Sequence, residues 1–522
     1  MKVDIKKSGL ENVTADALVV FVAKRSASKN EGKKKVSKAA LLAAKGASKT
    51  SASVEGVSKA IQAKIQAALD DSTIAGGANE TVLFRDAGVG GARHLLTIGL
   101  GDPKQVTHET LRQASAAVVN ALKNAKVRTV ALALDTLPHN SLNADLTIQA
   151  LTEGALLAEY AFNEYKEVPK EAPVKIETLS IVSALKAKTH ERGIETGTII
   201  AECVNFSRWL GDRPGNRMTP TILAEETQKA AKTSKLKVTV WDKARIKAEK
   251  MGSFLSVSNG SSQEPKFIMM EYNGAASSKR PICFVGKGLT FDCGGISIKP
   301  AAGMEEMKYD MCGGAAVISS MLAIARLKLK VNAIAFVPAT ENLAGPAATK
   351  PGDIVIARNG KSIEVNNTDA EGRLILADAL VYACEQKPAM ILDTATLTGA
   401  MVVALGNVHT GYFTRDNDLS DMIEEASVES GEWMWRMPLT DHHVKDMKGT
   451  YADLSNISNS KGAGSATAAG FLEQFVDKDI PWAHFDIAGT GWHCGNRLNY
   501  CPSKGASGVL VRTFLRMAMN HA

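Results

Sequence analysis

The chain has 522 residues, of which 45% are hydrophobic and 22% charged, a composition typical of a globular protein with two domains. No apolar run is long enough for a membrane helix, and a net charge of +7 is small for this length, so neither a membrane nor a nucleic acid is the expected partner. The seven cysteines lack CxxC spacing, which favours reduced thiols over a disulfide framework or a zinc–thiolate site.

The two ends of the chain bear on its location. Residues 1–5 lack the apolar core of a secretory signal, and residues 519–522 match no common address tripeptide. We therefore expect a cytoplasmic protein.

The first part of the chain alternates strand-like and helix-like segments. Short apolar runs predict strands at 17–22, 94–98 and 127–134, and Ala-rich or periodic runs predict helices at 38–45, 57–68, 109–121 and 145–166. Lysines concentrate between residues 24 and 38, which favours a solvated loop over a nucleic-acid patch. No cluster of Asp, Glu or His occurs here, so residues 1–166 are interpreted as an N-terminal α/β accessory domain.

Two prolines among charged residues predict a linker at residues 167–180, and residues 181–522 are interpreted as the catalytic domain. After a long helix at 191–210, strands are predicted at 238–241, 266–272, 281–288, 331–337, 362–365, 389–392 and 484–487, with helices at 315–325 and 374–384 among them. Strands separated by helices imply crossover connections. We therefore predict an α/β protein of two domains, each with a helix-flanked, mainly parallel sheet.

The stretch 366–374, Asn-Asn-Thr-Asp-Ala-Glu-Gly-Arg-Leu, lies where an extended run gives way to a helical one. Its carboxylates, Asp369 and Glu371, are too close in sequence to share a helix face, but an irregular backbone can bring them together. Like charges so placed repel unless a positive group lies between them. A divalent metal with oxygen ligands is the obvious candidate.

Other polar residues stand where predicted strands end. Lys287, Asp292 and Asp393 follow or end strands, and Asp310 precedes an apolar helix. Taken singly, Asp292 is an aspartate in a glycine turn, Asp310 a helix N-cap and Lys287 a salt-bridge partner. Together they favour a ligand site, because α/β sheets bind ligands at the carboxyl ends of their strands.

The set without a histidine cluster consists of four carboxylates, Asp292, Asp310, Asp369 and Glu371. It favours oxygen-rich coordination of hard cations, with room for two ions about 3.5–4 Å apart. A lysine can join such a site only as a neutral amine, which two cations and burial would favour. Lys299 and Arg373 remain as nearby cations suited to stabilising the oxyanion of a tetrahedral intermediate.

Three blocks of the sequence, 286–300, 307–313 and 367–374, resemble in order the signature blocks of the leucyl aminopeptidase (cytosol aminopeptidase, M17) family of dinuclear metallopeptidases. The resemblance covers roughly residues 190–515. It implies a catalytic domain of the zinc-exopeptidase (phosphorylase/hydrolase-like) type that removes the N-terminal residue, preferably Leu or another apolar residue, from peptide substrates.

The resemblance also implies the metal ligands. Asp292, Asp369 and Glu371 would hold one ion, and Lys287, Asp292, Asp310 and Glu371 the other. Zinc or manganese is expected, with magnesium or cobalt as further possibilities, since carboxylates accept all four.

The remaining implied roles are catalytic and substrate-binding. Lys299 matches the lysine that contacts the reacting oxygen, and Arg373 the arginine that holds a bicarbonate ion as proton shuttle. The pocket for the first side chain would be lined by Met307, Thr396, Leu397, Gly399 and Ala488. The family's assembly is a homohexamer, a dimer of trimers.

Two alternatives of other classes remain. A DNA-binding regulator that kept the peptidase fold would suit the N-terminal lysines, but these lack interleaved aromatics or a reader motif. A dinuclear phosphoesterase would share the carboxylates and the metals.

Overall fold

The computed structural model describes residues 1–24, 59–89, 91–138, 142–167, 174–184 and 188–522. The helix predicted at 38–45 and all but the first of the clustered lysines lie outside these ranges. The chain divides into two compact units, Met1–Ala201 with Leu498–Tyr500, and Glu202–Arg497 with Cys501–Ala522. The linker at 167–180 and the domain limits drawn from it stay predictions, since residues 168–173 are outside the described part.

In the described part of the first unit, six strands form one sheet flanked by helices. The strands are β1 (Lys2–Lys7), β2 (Ala15–Val22), β3 (Thr81–Phe84), β4 (Ala92–Gly99), β5 (Thr129–Ala133) and β6 (Thr178–Ser183). The helices are α1 (Lys59–Asp70), α2 (His108–Leu122) and α3 (Ala144–Ala158).

The sheet order is β1-β6-β5-β2-β4-β3, and every neighbouring pair is parallel except β3 with β4. Apolar β2 lies near the centre, as expected for a strand buried on both faces. Charged β1 and short β3 lie at the edges, and their weaker apolar signal explains why the sequence did not predict them. The helix predicted at 145–166 ends at Ala158.

Helix α4 (Lys188–Asp212) leads the chain into the second unit, whose residues are all described. Its strands are β7 (Lys237–Trp241), β8 (Lys266–Asn273), β9 (Ile282–Gly286), β10 (Gly288–Asp292), β11 (Asn332–Asn342), β12 (Asp353–Ile356), β13 (Ser362–Val365), β14 (Met390–Ala395), β15 (Thr410–Phe413), β16 (Met434–Arg436), β17 (Leu454–Ser455) and β18 (Trp482–Asp486).

The further helices of this unit are α5 (Pro220–Ala231), α6 (Lys243–Ala248), α7 (Gly252–Ser258), α8 (Cys312–Arg326), α9 (Gly372–Glu385), α10 (Gly399–Leu405), α11 (Asn417–Ser430), α12 (Asp441–Lys445), α13 (Gly464–Leu472) and α14 (Val511–Asn520). The helices predicted at 191–210, 315–325 and 374–384 are confirmed.

Within residues 202–522, nine strands form the main sheet, in the order β16-β15-β18-β14-β9-β11-β8-β7, with β10 paired to β11. The central strands β18, β14, β9 and β11 are mutually parallel, whereas β7, β8 and β15 add antiparallel pairs. A small sheet, β12-β13-β17, lies apart from it. The carboxyl ends of the central parallel strands therefore meet at one edge, where ligands bind in such sheets.

Helices cover both faces of the main sheet. Cys283 and Val285 of β9 share a core with residues 374–380 of α9, while Phe284, on the opposite face, lies 5.3 Å from Phe514 of α14 between ring centroids. This alternation follows from the two-residue period of a strand. In the described part of the chain, no helix combines the length and apolarity needed to cross a membrane.

An aromatic cluster in the second unit offers a test of the core. The fully buried ring of Phe267 packs against Trp241, Phe336 and Tyr382, with centroid distances of 5.4, 5.8 and 5.8 Å. Replacing Phe267 by Ala leaves a cavity, so we expect Phe267→Ala to lower the free energy of unfolding by about 3–5 kcal/mol. Urea denaturation followed by circular dichroism measures this.

The matched control is Tyr451→Ala, since the Tyr451 side chain is 86% exposed. This variant should change the unfolding free energy by no more than about 0.5 kcal/mol. Equal losses in the two variants would contradict the packing described here.

Candidate metal centre

The polar residues predicted from strand ends converge in the second unit. Lys287 directly follows β9, Asp292 ends β10, and the turn 366–371 joins β13 to α9. Asp310 lies in the 3₁₀ segment Met304–Met311 that leads into α8. Residues more than 80 positions apart in the chain are thereby brought within hydrogen-bonding distance.

Lys287 is the buried centre of one half of the cluster. Its Nζ lies 2.8 Å from Asp310 Oδ2 and 2.9 Å from Glu371 Oε1, and it donates to the Thr396 carbonyl at 3.0 Å. The Thr396 hydroxyl donates to Asp310 Oδ1 at 2.5 Å. Asp310 is therefore not the N-cap of α8, which begins after Met311 without a side-chain cap.

Lys299 is the centre of the other half of the cluster. Its Nζ lies 2.9 Å from Asp292 Oδ2 and 2.5 Å from Asp369 Oδ1. The second oxygen of Asp292, Oδ1, accepts from the Gly294 amide and from Asn342 Nδ2, both at 2.8 Å. Gly294 has φ +89°, and a Cβ there would lie 2.8 Å from Asp369 Oδ1, so the close approach of the two loops requires glycine.

Three carboxylates share one point. Each of Asp292, Asp369 and Glu371 offers an oxygen, and these oxygens lie within 4.8 Å of one another. Among the described residues, Glu371 Oε2 is buried without a hydrogen-bond partner. Such an oxygen is costly unless a ligand satisfies it. The donor set is what a hard divalent cation prefers, so these residues fit a metal ion.

The electrostatics agree with that fit. Four carboxylates, those just named and Asp310, face only two ammonium groups, Lys287 and Lys299, in the ion-pair network. Burial raises the pKa of Asp310 to about 8 despite Lys287, and burial together with the Asp292 charge raises the pKa of Glu371. Burial alone would lower the pKa of Lys287, but the surrounding acids raise it well above its usual value.

Burial therefore raises the pKa of the acids and the surrounding negative charge raises that of Lys287, so the cluster retains protons unless other cations replace them. Divalent cations would reverse this potential and favour the neutral amine that a lysine ligand requires.

Arg373 begins α9 beside this cluster. Its Nη1 donates to the Asn456 carbonyl at 2.7 Å, while its Nε is buried without a partner in the described part of the chain. Burial lowers the pKa of the guanidinium to about 10, although the charges of Glu371 and Asp486 oppose this. A buried guanidinium with a spare donor is suited to holding an anion.

The residues predicted to contact the substrate side chain lie on three segments of the chain. Met307 is half-buried in the 3₁₀ segment, three positions before Asp310. Thr396, Leu397 and Gly399 follow β14, and Ala488 follows β18. The space around Gly399 is open, since a Cβ there would meet no atom within 4 Å.

Asp486 connects the segments that follow β14 and β18. Its Oδ1 accepts from the amides of Leu397 and Ala488, both at 3.1 Å, and its Oδ2 from the Thr398 hydroxyl at 2.6 Å. Sequence reasoning missed Asp486 and Asn342, yet each is the last residue of a strand, β18 or β11. The strand-end signal that found Asp292 could therefore have found both.

The prediction that Asp393 stands at the end of its strand is wrong. Asp393 does not end β14 but lies within it, and its carboxylate pairs with His484 Nδ1 and accepts from Trp482 Nε1, both at 2.6 Å. Because this strand extends two residues beyond Asp393, the side chain forms its hydrogen bonds inside the sheet and does not reach the candidate metal centre.

Two family patterns match the chain. The catalytic domain of the cytosol aminopeptidase family matches residues 205–515, and the N-terminal domain of the same family matches residues 36–169.

Among individual proteins, the chain is 59% identical over 480 residues to a probable cytosol aminopeptidase of Bdellovibrio bacteriovorus, covering 91% of this chain and 96% of that protein. It is 41% identical over 467 residues to one of Burkholderia pseudomallei, covering 89% and 91%.

Two solved structures share the fold over nearly the whole chain. One is a mutant of tomato leucine aminopeptidase, with TM-score 0.83, 32% identity and coverage of 100% of this chain and 96% of that chain. The other is the bottromycin maturation enzyme BotP in complex with Mn, with TM-score 0.81, 28% identity and coverage of 97% and 100%.

The excess of carboxylates in the cluster predicts that a divalent metal ion stabilises the folded protein. Ions that relieve the excess charge bind only the folded state, so Mn²⁺ at 100 times its dissociation constant should add about 2.7 kcal/mol to the free energy of unfolding. Thermal unfolding with and without Mn²⁺ measures this, and Glu371→Ala should reduce the shift. An unchanged melting temperature of the wild-type protein at millimolar Mn²⁺ would contradict the assignment.

Proposed function

The chain belongs to the cytosol aminopeptidase family and is therefore a peptidase that acts at the N-terminus of its substrates, and we propose that its activity depends on two divalent metal ions bound by the acidic cluster. The convergence of Asp292, Asp369 and Glu371 within 4.8 Å carries this proposal.

We assign Asp292, Asp369 and Glu371 to one ion and Lys287, Asp292, Asp310 and Glu371 to the other. The division of the cluster into a Lys299 half and a Lys287 half supports this assignment. Zn²⁺ or Mn²⁺ is proposed, with Mg²⁺ or Co²⁺ as alternatives, and the Mn complex of BotP supports manganese. When bound, such a pair polarises a substrate carbonyl and lowers the pKa of water.

Lys299 and Arg373 are the proposed catalytic cations. Lys299 is the more accessible lysine of the cluster, with 22% of its side chain exposed against 3% for Lys287. Its ammonium can therefore donate to the oxyanion that forms as a peptide carbonyl is attacked.

We further propose that Arg373 would hold a bicarbonate ion, which would supply a base for the proton of the attacking water. In the cluster the four carboxylates already contact lysines. A bound anion at the spare Nε of Arg373 would supply the base that they do not.

A preference for leucine follows from the proposed substrate wall. Met307, Leu397, Ala488 and the methyl group of Thr396 form an apolar set, and methionine adapts to branched side chains. Asp486 fixes the backbone of the part of this wall that follows β14 and β18. Gly399 leaves space beside it.

A homohexamer, a dimer of trimers, and a cytoplasmic location remain proposals from family resemblance, and nucleic-acid binding is not proposed.

Asp369→Ala tests the metal assignment. Loss of one ligand should lower kcat on a leucyl amide by about 1,000-fold, the equivalent of several kcal/mol of metal-derived stabilisation. The melting temperature should change little, because the substitution also removes one carboxylate from a cluster in which carboxylates outnumber lysines. Exposed Asp421 gives the control, since Asp421→Ala should keep full activity.

The same assay separates the alternatives. The wild-type protein should release leucine faster than glutamate from matched amides, by about tenfold or more, and release no phosphate from an aryl phosphate. Wild-type turnover in Asp369→Ala would refute the ligand assignment, and phosphate release would favour the phosphoesterase.

Arg373→Ala tests the bicarbonate proposal. Removing the anion site should lower kcat by about 100-fold, the lower range for general-base catalysis, with metal content unchanged. Added bicarbonate should accelerate the metal-saturated wild-type enzyme but not the variant. A variant that keeps the bicarbonate response would contradict this role.

A further inference from the structure

Asn456 directly follows β17, in the small sheet beside β13, and its side chain is completely buried. None of the sequence blocks that point to the metal centre contains it. Yet its contacts reach both the turn that carries Asp369 and Glu371 and the guanidinium of Arg373.

Both the oxygen and the nitrogen of the Asn456 side-chain amide form hydrogen bonds with the backbone of the turn. Its Oδ1 accepts from the backbone amides of Asn366 at 2.8 Å and Asn367 at 3.2 Å. Its Nδ2 donates to the carbonyls of Asn367 at 2.6 Å and Ala370 at 3.3 Å. These backbone groups flank Asp369 on both sides, and Ala370 lies between the two carboxylates.

The backbone of Asn456 completes the connection. Its carbonyl accepts from Arg373 Nη1 at 2.7 Å, and its amide donates to the Glu364 carbonyl at 2.9 Å. One buried residue thus connects β13, the following turn and the first turn of α9. Because the contacts are hydrogen bonds with fixed directions, a shift of Asn456 would displace the turn and Arg373 together.

We propose that Asn456 is a positioning residue that sets the geometry of the Asp369–Glu371 metal ligands and of Arg373 at the same time. The inference rests on the proposed metal-dependent function. An asparagine suits the place because its amide has an acceptor and two donors, whereas an ionised aspartate only accepts. Partners that orient metal ligands from outside contribute about 10- to 100-fold to metal affinity or activity.

Two variants and a control test the proposal. Asn456→Ala removes all four side-chain hydrogen bonds, and Asn456→Asp keeps the size and the acceptor but removes the donors to Asn367 and Ala370. Asn459→Ala is the control, because Asn459 is exposed three residues further on and its side chain donates to the Lys448 carbonyl, away from the turn.

The first readout is Mn²⁺ binding by equilibrium dialysis, which needs no activity. We expect both Asn456 variants to bind the metal about 10- to 100-fold more weakly than the wild type, and Asn459→Ala to bind as the wild type does. The second readout is hydrolysis of a leucyl amide at saturating Mn²⁺. There kcat should fall by a similar factor while KM changes less than about threefold.

Wild-type Mn²⁺ affinity in both Asn456 variants would overturn the proposal, as would an equal loss in Asn459→Ala. Loss of the native circular dichroism spectrum in both Asn456 variants would also overturn it, because the residue would then serve the fold and not the site. If the wild type binds Mn²⁺ but hydrolyses no amino-acyl amide, the proposed function fails while the dialysis result still decides the role of Asn456.

Discussion

Unbalanced buried charge is the constraint on which the rest of the site depends. Four carboxylates and two lysines occupy one buried cluster, and neither the ion pairs nor the hydrogen bonds neutralise the acids fully. In a medium of low dielectric such an excess is costly. Burial raises the pKa of Asp310 and Glu371, and the surrounding acids raise the pKa of Lys287. A fold would not retain this arrangement for its stability alone. Divalent cations would resolve the imbalance, which would join the electrostatics of the cluster to the peptidase chemistry of the family.

The fold meets this constraint by bringing groups from several strand ends together with Asp310 of the 3₁₀ segment Met304–Met311. β9 supplies Lys287, β10 supplies Asp292, and the turn after β13 supplies Asp369 and Glu371. Helices pack on both faces of these strands, so the core supports the strand ends from which the proposed ligands project. Asn342 donates to Asp292, Asn456 donates to the turn that carries Asp369 and Glu371, and Asp486 accepts from the Leu397 amide, so each bonds to a proposed ligand or to the proposed substrate wall.

Much of the catalytic unit could be predicted from the sequence, because its central strands are apolar runs and its ligands follow them. Asp393 could not be placed, since sequence alone does not show that β14 continues past it to Ala395. Asn456 could not be found for a different reason: its proposed role depends on the pairing of β17 with β13, and paired residues such as Ile363 and Leu454 are far apart in the sequence. In the first unit, the charged edge strand β1 lacked the apolar signal on which strand prediction relies.

The most direct measurement is the anomalous scattering of a crystal grown with Mn²⁺. Two peaks about 3.5–4 Å apart are predicted, one beside Asp292, Asp369 and Glu371 and the other between Glu371, Asp292, Asp310 and the amine of Lys287. Peaks confined to other parts of the molecule, or none at all with the lysine still in contact with Asp310 and Glu371, would contradict a metal centre in this cluster.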